Sequence, residues 1–293
     1  QRGNWNSRPT VRVGIVRLHE VVDIGAWNPR RYVAEIGLDA STAFVAADGG
    51  LFALDLSDPS SPVELSYLDL IDAQHLTLDQ SHAYLTATGV GGDGWFDVVD
   101  ISEPTATERV GGIYWPQPDA EKHAIDASGD IAVIADADGL LVLDVSNASS
   151  PEAKGRLAHP EARDVALVGD HAVVTFAASA HPGELGITVV ALSDLSHPTP
   201  IGSWEAPSEV LSVAEYGGAV AVGTESDGVF LIDIGDPANP ERIDHRSDLG
   251  MRVEELATAW PTIAAANLAF GTKVLSLHRW CLPPRHPSDR VGP

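Results

Sequence analysis

One phrase returns along the chain at a period of roughly 42 to 47 residues, and a chain that repeats at this length folds as neighbouring copies of one small unit. It reads Gly50-Leu-Phe-Ala-Leu-Asp55-Leu-Ser-Asp-Pro-Ser-Ser-Pro62, then Trp95-Phe-Asp-Val-Val-Asp100-Ile-Ser-Glu-Pro104. It returns as Gly139-Leu-Leu-Val-Leu-Asp144-Val-Ser-Asn-Ala-Ser-Ser-Pro151, as Ile187-Thr-Val-Val-Ala-Leu-Ser-Asp194-Leu-Ser-His-Pro198 and as Gly228-Val-Phe-Leu-Ile-Asp233-Ile-Gly-Asp-Pro-Ala-Asn-Pro240. A degenerate sixth copy is Gly271-Thr-Lys-Val-Leu-Ser-Leu277.

Each period holds a short apolar strand, a polar corner, a second strand, a loop, the phrase, a proline-marked turn and a last strand. In residues 162–175 the Gly169-Asp170 pair is a hairpin signal between two β-branched runs, which gives strands a and b. The phrase is strand c, and its prolines end it. Four strands of this length make one propeller blade. The aspartates Asp55, Asp100, Asp144 and Asp233 close strand c, where Asp accepts N–H groups of its own turn, so they are read as structural.

The Leu54-Asp55-Leu56 and Leu143-Asp144-Val145 motifs resemble those of the LVIVD-repeat family of β-propellers, over about residues 30 to 280. The resemblance implies an all-β propeller of four-stranded antiparallel blades and no particular activity, since the family is broad. Strand-a starts near Arg31, Gln74, Lys122, Arg163, Glu209 and Arg252 predict six blades. The sixth lacks an outer strand, which Val11 to Leu18, together with Glu20 to Ile24, would supply, closing an otherwise open edge. A seven-bladed ring is the alternative. The division is an N-terminal extension at 1–10, one propeller domain at 11–280 and a Pro-rich tail at 281–293.

The protein is acidic, with 42 Asp and Glu against 18 Lys and Arg and a formal charge of −24, which argues against nucleic acid as a partner. No apolar run is long enough for a membrane helix. The single cysteine, Cys281, excludes an intrachain disulfide and a cysteine-based metal site. The chain opens Gln1-Arg2-Gly3-Asn4 without an apolar signal core, so it is expected to be either cytoplasmic or exported after signal removal. Nothing in the sequence sets the oligomeric state.

The strand-a starts and b–c loops are expected to rim one end of a central funnel, the default binding face of such a fold. Aligned by these starts, Arg31, Gln74, Lys122, Arg163, Glu209 and Arg252 form one ring, and Tyr32, His75, His123, Asp164, Val210 and Val253 the next. Two cations about 8 Å apart at an effective dielectric near 20 repel by about 2 kcal/mol, so the first ring needs either carboxylate partners or a bound anion. Tyr32, His75 and His123 depart together from the Asp of the well-matched fourth copy, towards groups that move protons. No HxH or HExxH spacing is present; a divalent metal remains a minor option, and no cofactor is predicted. His82 and His171 lie in exposed a–b corners.

The b–c loops at Thr88 to Gly94 and Ala178 to Gly186, with Trp95 and His181, are candidates to overhang the funnel. The first is not a phosphate loop, since neither GxxxxGK[ST] nor a following helix is there. The expectation is a propeller that binds a small, anionic ligand or a partner at the funnel. The alternatives are a lyase, isomerase or hydrolase using His75 or His123 as acid or base with Tyr32 assisting and the Arg/Lys ring holding the substrate, and a purely structural repeat protein.

Overall fold

The computed structural model describes residues 11–17, 20–89, 93–116, 122–159, 161–176, 185–247, 252–259, 262–267 and 271–276. The extension at 1–10, the tail at 281–293, His181 and most of both b–c loops lie outside the described residues, as does the side chain of Lys122.

The described residues form strands without helices, so no helix there is long and apolar enough to cross a membrane. An N-terminal pair, β1 (Val11–Arg17) and β2 (Glu20–Trp27), precedes six sheets. Blade one holds β3 (Val33–Asp39), β4 (Thr42–Ala47), β5 (Gly50–Asp55) and β6 (Val63–Asp69). Blade two holds β7 (Ala73–Asp79), β8 (His82–Thr88), β9 (Gly94–Asp100) and β10 (Glu108–Trp115). Blade three holds β11 (Lys122–Ser128), β12 (Ile131–Asp136), β13 (Gly139–Asp144) and β14 (Glu152–Ala158). Blade four holds β15 (Ala162–Val168), β16 (His171–Phe176), β17 (Gly186–Ala191) and β18 (Thr199–Glu205). Blade five holds β19 (Val210–Tyr216), β20 (Ala219–Thr224), β21 (Val229–Asp233) and β22 (Glu241–Arg246). Blade six holds β23 (Glu255–Ala259), β24 (Thr262–Asn267) and β25 (Gly271–Ser276).

Each blade is an antiparallel meander, and the first strands β3, β7, β11, β15, β19 and β23 pack side by side in that order. Six blades are therefore seen. The N-terminal segments do not enter blade six as one added strand: β1 pairs with β2 as a hairpin, and β2 lies beside β25. Apolar side chains of strands a, b and c alternate between the two faces of each sheet, so clusters form between blades; Val133, Val142, Val165 and Leu167 share one between blades three and four. Trp27 and Trp204 meet Phe52 and Phe230 with ring centroids 5.0 and 5.2 Å apart, so both indoles belong to this packing.

The strand-c aspartates behave as local turn anchors. Asp55, Asp100, Asp144 and Asp233 each accept the N–H two residues on, at 2.7 to 3.1 Å. The turn that follows presses on the outer strand of the preceding blade. A Cβ at Gly111, Gly155 or Gly202 would collide with the backbone carbonyl of Ala148, Leu195 or Pro237, so only glycine admits the neighbouring turn there.

An inner strand has a sheet partner on one edge only, and its other edge presents unpaired N–H groups. Carboxylates of the preceding blade accept them. Glu35 takes the Leu76 N–H at 2.7 Å, Asp126 the Leu167 N–H at 2.8 Å and Asp164 the Val213 N–H at 2.7 Å. Asp126 also accepts from Ala127 N–H and the Thr77 hydroxyl, at 2.8 and 3.1 Å, and so ties blades two, three and four. Asp126→Ala should cost about 2 to 4 kcal/mol in urea unfolding, because it strips a charged acceptor from several donors at once. Asp144→Ala, which frees one exposed turn, should cost clearly less; equal losses would refute the cross-blade role.

Candidate functional site

The phase of the six inner strands decides which residues meet at the axis. In every four-stranded blade the ladder between strands a and b slips by one residue near the start of strand a, between Val33 and Glu35, Ala73 and His75, Lys122 and Ala124, Ala162 and Asp164, and Val210 and Ser212. Such bulges re-aim the side chains around them. Counted back from the a–b corner, Glu35, His75, Ala124, Asp164, Ser212 and Glu255 share one level. Ala34, Gln74, His123, Arg163, Leu211 and Glu254 share the next one out.

This corrects both rings expected from the sequence. His75 and His123 are not equivalent, because His123 stands at the level of Gln74 and Arg163. Tyr32, Glu209 and Arg252 lie two residues before that level, and Lys122 starts β11 opposite Asp136. Arg31 turns away to donate Nη1 to the Asp48 carbonyl at 2.8 Å and lies over the Tyr67 ring at 5.0 Å. The Tyr32 side chain is 64% exposed and lines no part of the cavity. Trp95 packs on Tyr114, centroids 5.0 Å apart, also away from the cavity.

A cavity of about 950 Å³ opens among the six inner strands. Gln74, His75, His123, Arg163 and Arg252 come together on its wall, joined by residues the strand-start alignment left out, chiefly Glu35 and Ile36. The b–c turns do emerge at this end, since Asp48 N–H meets the Tyr32 carbonyl and Glu225 N–H the Glu209 carbonyl. Five carboxyl groups line the cavity (Glu35, Glu161, Asp164, Glu254 and Glu255) against two guanidiniums.

Both guanidiniums are engaged by the protein. Arg163 meets Glu209 at 3.2 Å, while Arg252 meets Glu254 at 3.4 Å and Glu225 at 3.6 Å. Carboxylate partners thus account for Arg163 and Arg252, while Arg31 is held by a backbone carbonyl. His123 donates Nδ1–H to the Ala162 carbonyl at 2.5 Å, which leaves Nε2 as the basic nitrogen. His75 Nδ1 stands 3.6 Å from Glu35 Oε2.

The remaining acids crowd one another. Burial raises Asp164 well above the ordinary carboxylate range, and Glu255 and Glu35 push the same way against the N–H bonds from Val213 and Val165. Glu255 is raised to about 7, first by the protein around it, then by Glu35, with His75 opposing. Water reaches both through the cavity mouth, so this burial is that of a funnel rather than a dry core. Glu35 and Asp164 hold backbone N–H groups of the next blade; Glu255 has no hydrogen bond among the described residues. No group of three or more His, Cys, Asp or Glu among the described residues is arranged to hold a metal ion.

Comparison with known proteins addresses the scaffold. Residues 38–69, 89–111 and 122–158 match the family model described as the LVIVD repeat, one stretch in each of the first three blades. A search of curated proteins finds no match. Among solved structures, a functionally unknown protein from Desulfotomaculum acetoxidans is similar at 12% identity, over 87% of this chain and 86% of that one, with a TM-score of 0.70. The Pan2 WD40 domain of Neurospora crassa is similar at 11% identity over 90% and 83%, TM-score 0.63, and BamB from Moraxella catarrhalis at 11% over 89% and 88%, TM-score 0.53. At such identities the likeness is one of fold. The six sheets and these neighbours make this chain a β-propeller, and its first three blades carry matches to the LVIVD repeat.

Proposed function

We propose that the protein is a binding propeller that takes a small polar ligand into the cavity among its inner strands. The observation that carries this reading is the cavity itself: about 950 Å³, at the upper end of the range of small-molecule sites, with wall residues from all six blades. Ala257 lines it from β23. Ala257→Phe should fill the space with little effect on the unliganded melting temperature. Compounds from a polar small-molecule library that raise the melting temperature of the wild type should then fail to raise that of the variant. Equal shifts in both proteins would refute binding at this site.

A second reading, proton-transfer catalysis, is favoured by one pairing: Glu255, raised to about 7, shares a level with His75. It requires that some bound compound be turned over, and that His75→Gln or Glu255→Gln cut turnover about a hundredfold without lowering the melting temperature. Unchanged turnover in both variants would remove it.

Glu255 also sets a pH signature. Its carboxyl keeps its proton up to about pH 7 in the folded chain and releases it near 4.5 when unfolded. Between those values the folded state binds more protons, so stability is present below pH 4.5 and is lost as pH rises through 7. Asp164 acts in the same direction. The turn aspartates Asp55, Asp100 and Asp144, held below their usual 3.8 chiefly by N–H and hydroxyl donors, act only at lower pH. The melting temperature should fall from pH 5 to pH 8, and Glu255→Gln should flatten that fall; an unchanged slope in the variant would show that Glu255 does not hold the proton.

A further inference from the structure

The apolar step directly after the carboxyl level is buried in five blades and open in one. Leu76, Ile125, Val165, Val213 and Leu256 are 4 to 8% exposed, whereas their equivalent in blade one, Ile36, is 43% exposed. These side chains face the preceding blade, and for Ile36 that neighbour is blade six, on the far side of the cavity. Ile36 therefore forms an apolar patch on the cavity wall, with Val33 on the same strand and Leu256 and Ala257 opposite on β23. Glu35 and Glu255, one residue before Ile36 and Leu256, bring two carboxyls to the edge of this patch.

We infer that the cavity accepts a small organic cation, an amine with an apolar body, whose ammonium group is held by Glu255 and Glu35 while its apolar part covers Ile36. The inference rests on the reading of the cavity as a ligand site and adds the class of ligand. Charge decides the head group: both cavity guanidiniums already have carboxylate partners, and five carboxyls surround them. Glu255 brings acceptor oxygens that no hydrogen bond of the described protein uses, and an ammonium supplies three donors. The exposed Ile36 decides the body, because covering it removes the apolar surface that the other blades bury between themselves. The groups facing Glu255 are Glu35 on β3, His75 on β7 and Asp164 on β15, with Arg252 and Glu254 just ahead of β23. Since Glu255, raised to about 7, holds its proton below neutral pH, the cation displaces that proton as it binds there, and affinity should climb with pH.

Three probes with one tail and different heads test this by calorimetry on the full chain: hexylamine, hexan-1-ol and hexanoate. Hexylamine should bind about tenfold more tightly than hexan-1-ol, the worth of one charge-assisted hydrogen bond, and hexanoate should bind least. Glu255→Gln, which keeps the side-chain shape, should abolish the preference and the rise in hexylamine affinity between pH 6 and 8. Ile36→Ser should weaken hexylamine and hexan-1-ol alike by about fivefold to tenfold; a melting temperature within a few degrees of the wild type certifies that each variant is folded. Hexan-1-ol or hexanoate binding as tightly as hexylamine would overturn the inference and leave the cavity reading standing. Failure of all three to bind would also overturn it, and the Ala257→Phe comparison with a general polar library then decides the cavity reading separately.

Discussion

The unpaired edge of each inner strand is the constraint on which the rest of this propeller depends. Six blades set side by side bring six such edges to one axis, where neither another strand nor bulk water is available to all of their N–H groups. The chain answers with carboxylates on the preceding blade: Glu35 on Leu76, Asp126 on Leu167 and Asp164 on Val213. Between blades five and six the cross-blade bonds run to carbonyls instead, the Ser212 hydroxyl donating to the Val253 carbonyl and the Thr258 hydroxyl to the Glu215 carbonyl. Blade order and blade adhesion thus come from contacts at the axis as well as from apolar surfaces between the sheets.

Features that close within a few residues were legible in the sequence. Asp55, Asp100, Asp144 and Asp233 could be assigned to their turns because the bond runs from residue i to i+2, a distance fixed by local backbone geometry. The cavity level was missed because the chosen starts, Arg31, Gln74, Lys122, Arg163, Glu209 and Arg252, lie at different distances from the a–b corner, whereas the bulge falls at the same place in the inner strand of every four-stranded blade. An alignment on the a–b corners, Ala40-Ser41, Gln80-Ser81, Gly129-Asp130, Gly169-Asp170 and Gly217-Gly218, sets Glu35, His75 and Asp164 side by side with no structure in hand. The strand starts instead joined His75 to His123 and drew in Tyr32, which stands outside the cavity.

The same slip misdirected the electrostatic reading. Arg31, Lys122, Arg163 and Arg252 look like a basic ring in an acidic chain, yet Arg31 serves the Asp48 turn while Arg163 and Arg252 serve glutamates at strand starts and in a b–c turn. Distance in sequence hid those partners: Arg163 and Glu209 are a full repeat apart. The glycines at 111, 155 and 202 carried a similar hidden message, since what excludes a side chain there is the turn of the next blade.

The architecture also explains why acidity near the axis is by itself poor grounds for assigning a site. Carboxylates collect there because inner-strand N–H groups need acceptors, and a group such as Asp126 or Asp164 is occupied by the scaffold whatever the funnel holds. What separates ligand chemistry from scaffold chemistry is the member of the level that serves no backbone donor. Glu255 is that member: it shares the level of Asp164 and Glu35, its proton is held by the surrounding protein and then by the charge of Glu35, and it faces the one inner strand whose apolar step is left uncovered. Selection for folding accounts for the acids that bond across blades. Glu255 and the exposed Ile36 serve no such cross-blade bond or contact, so folding alone does not account for them.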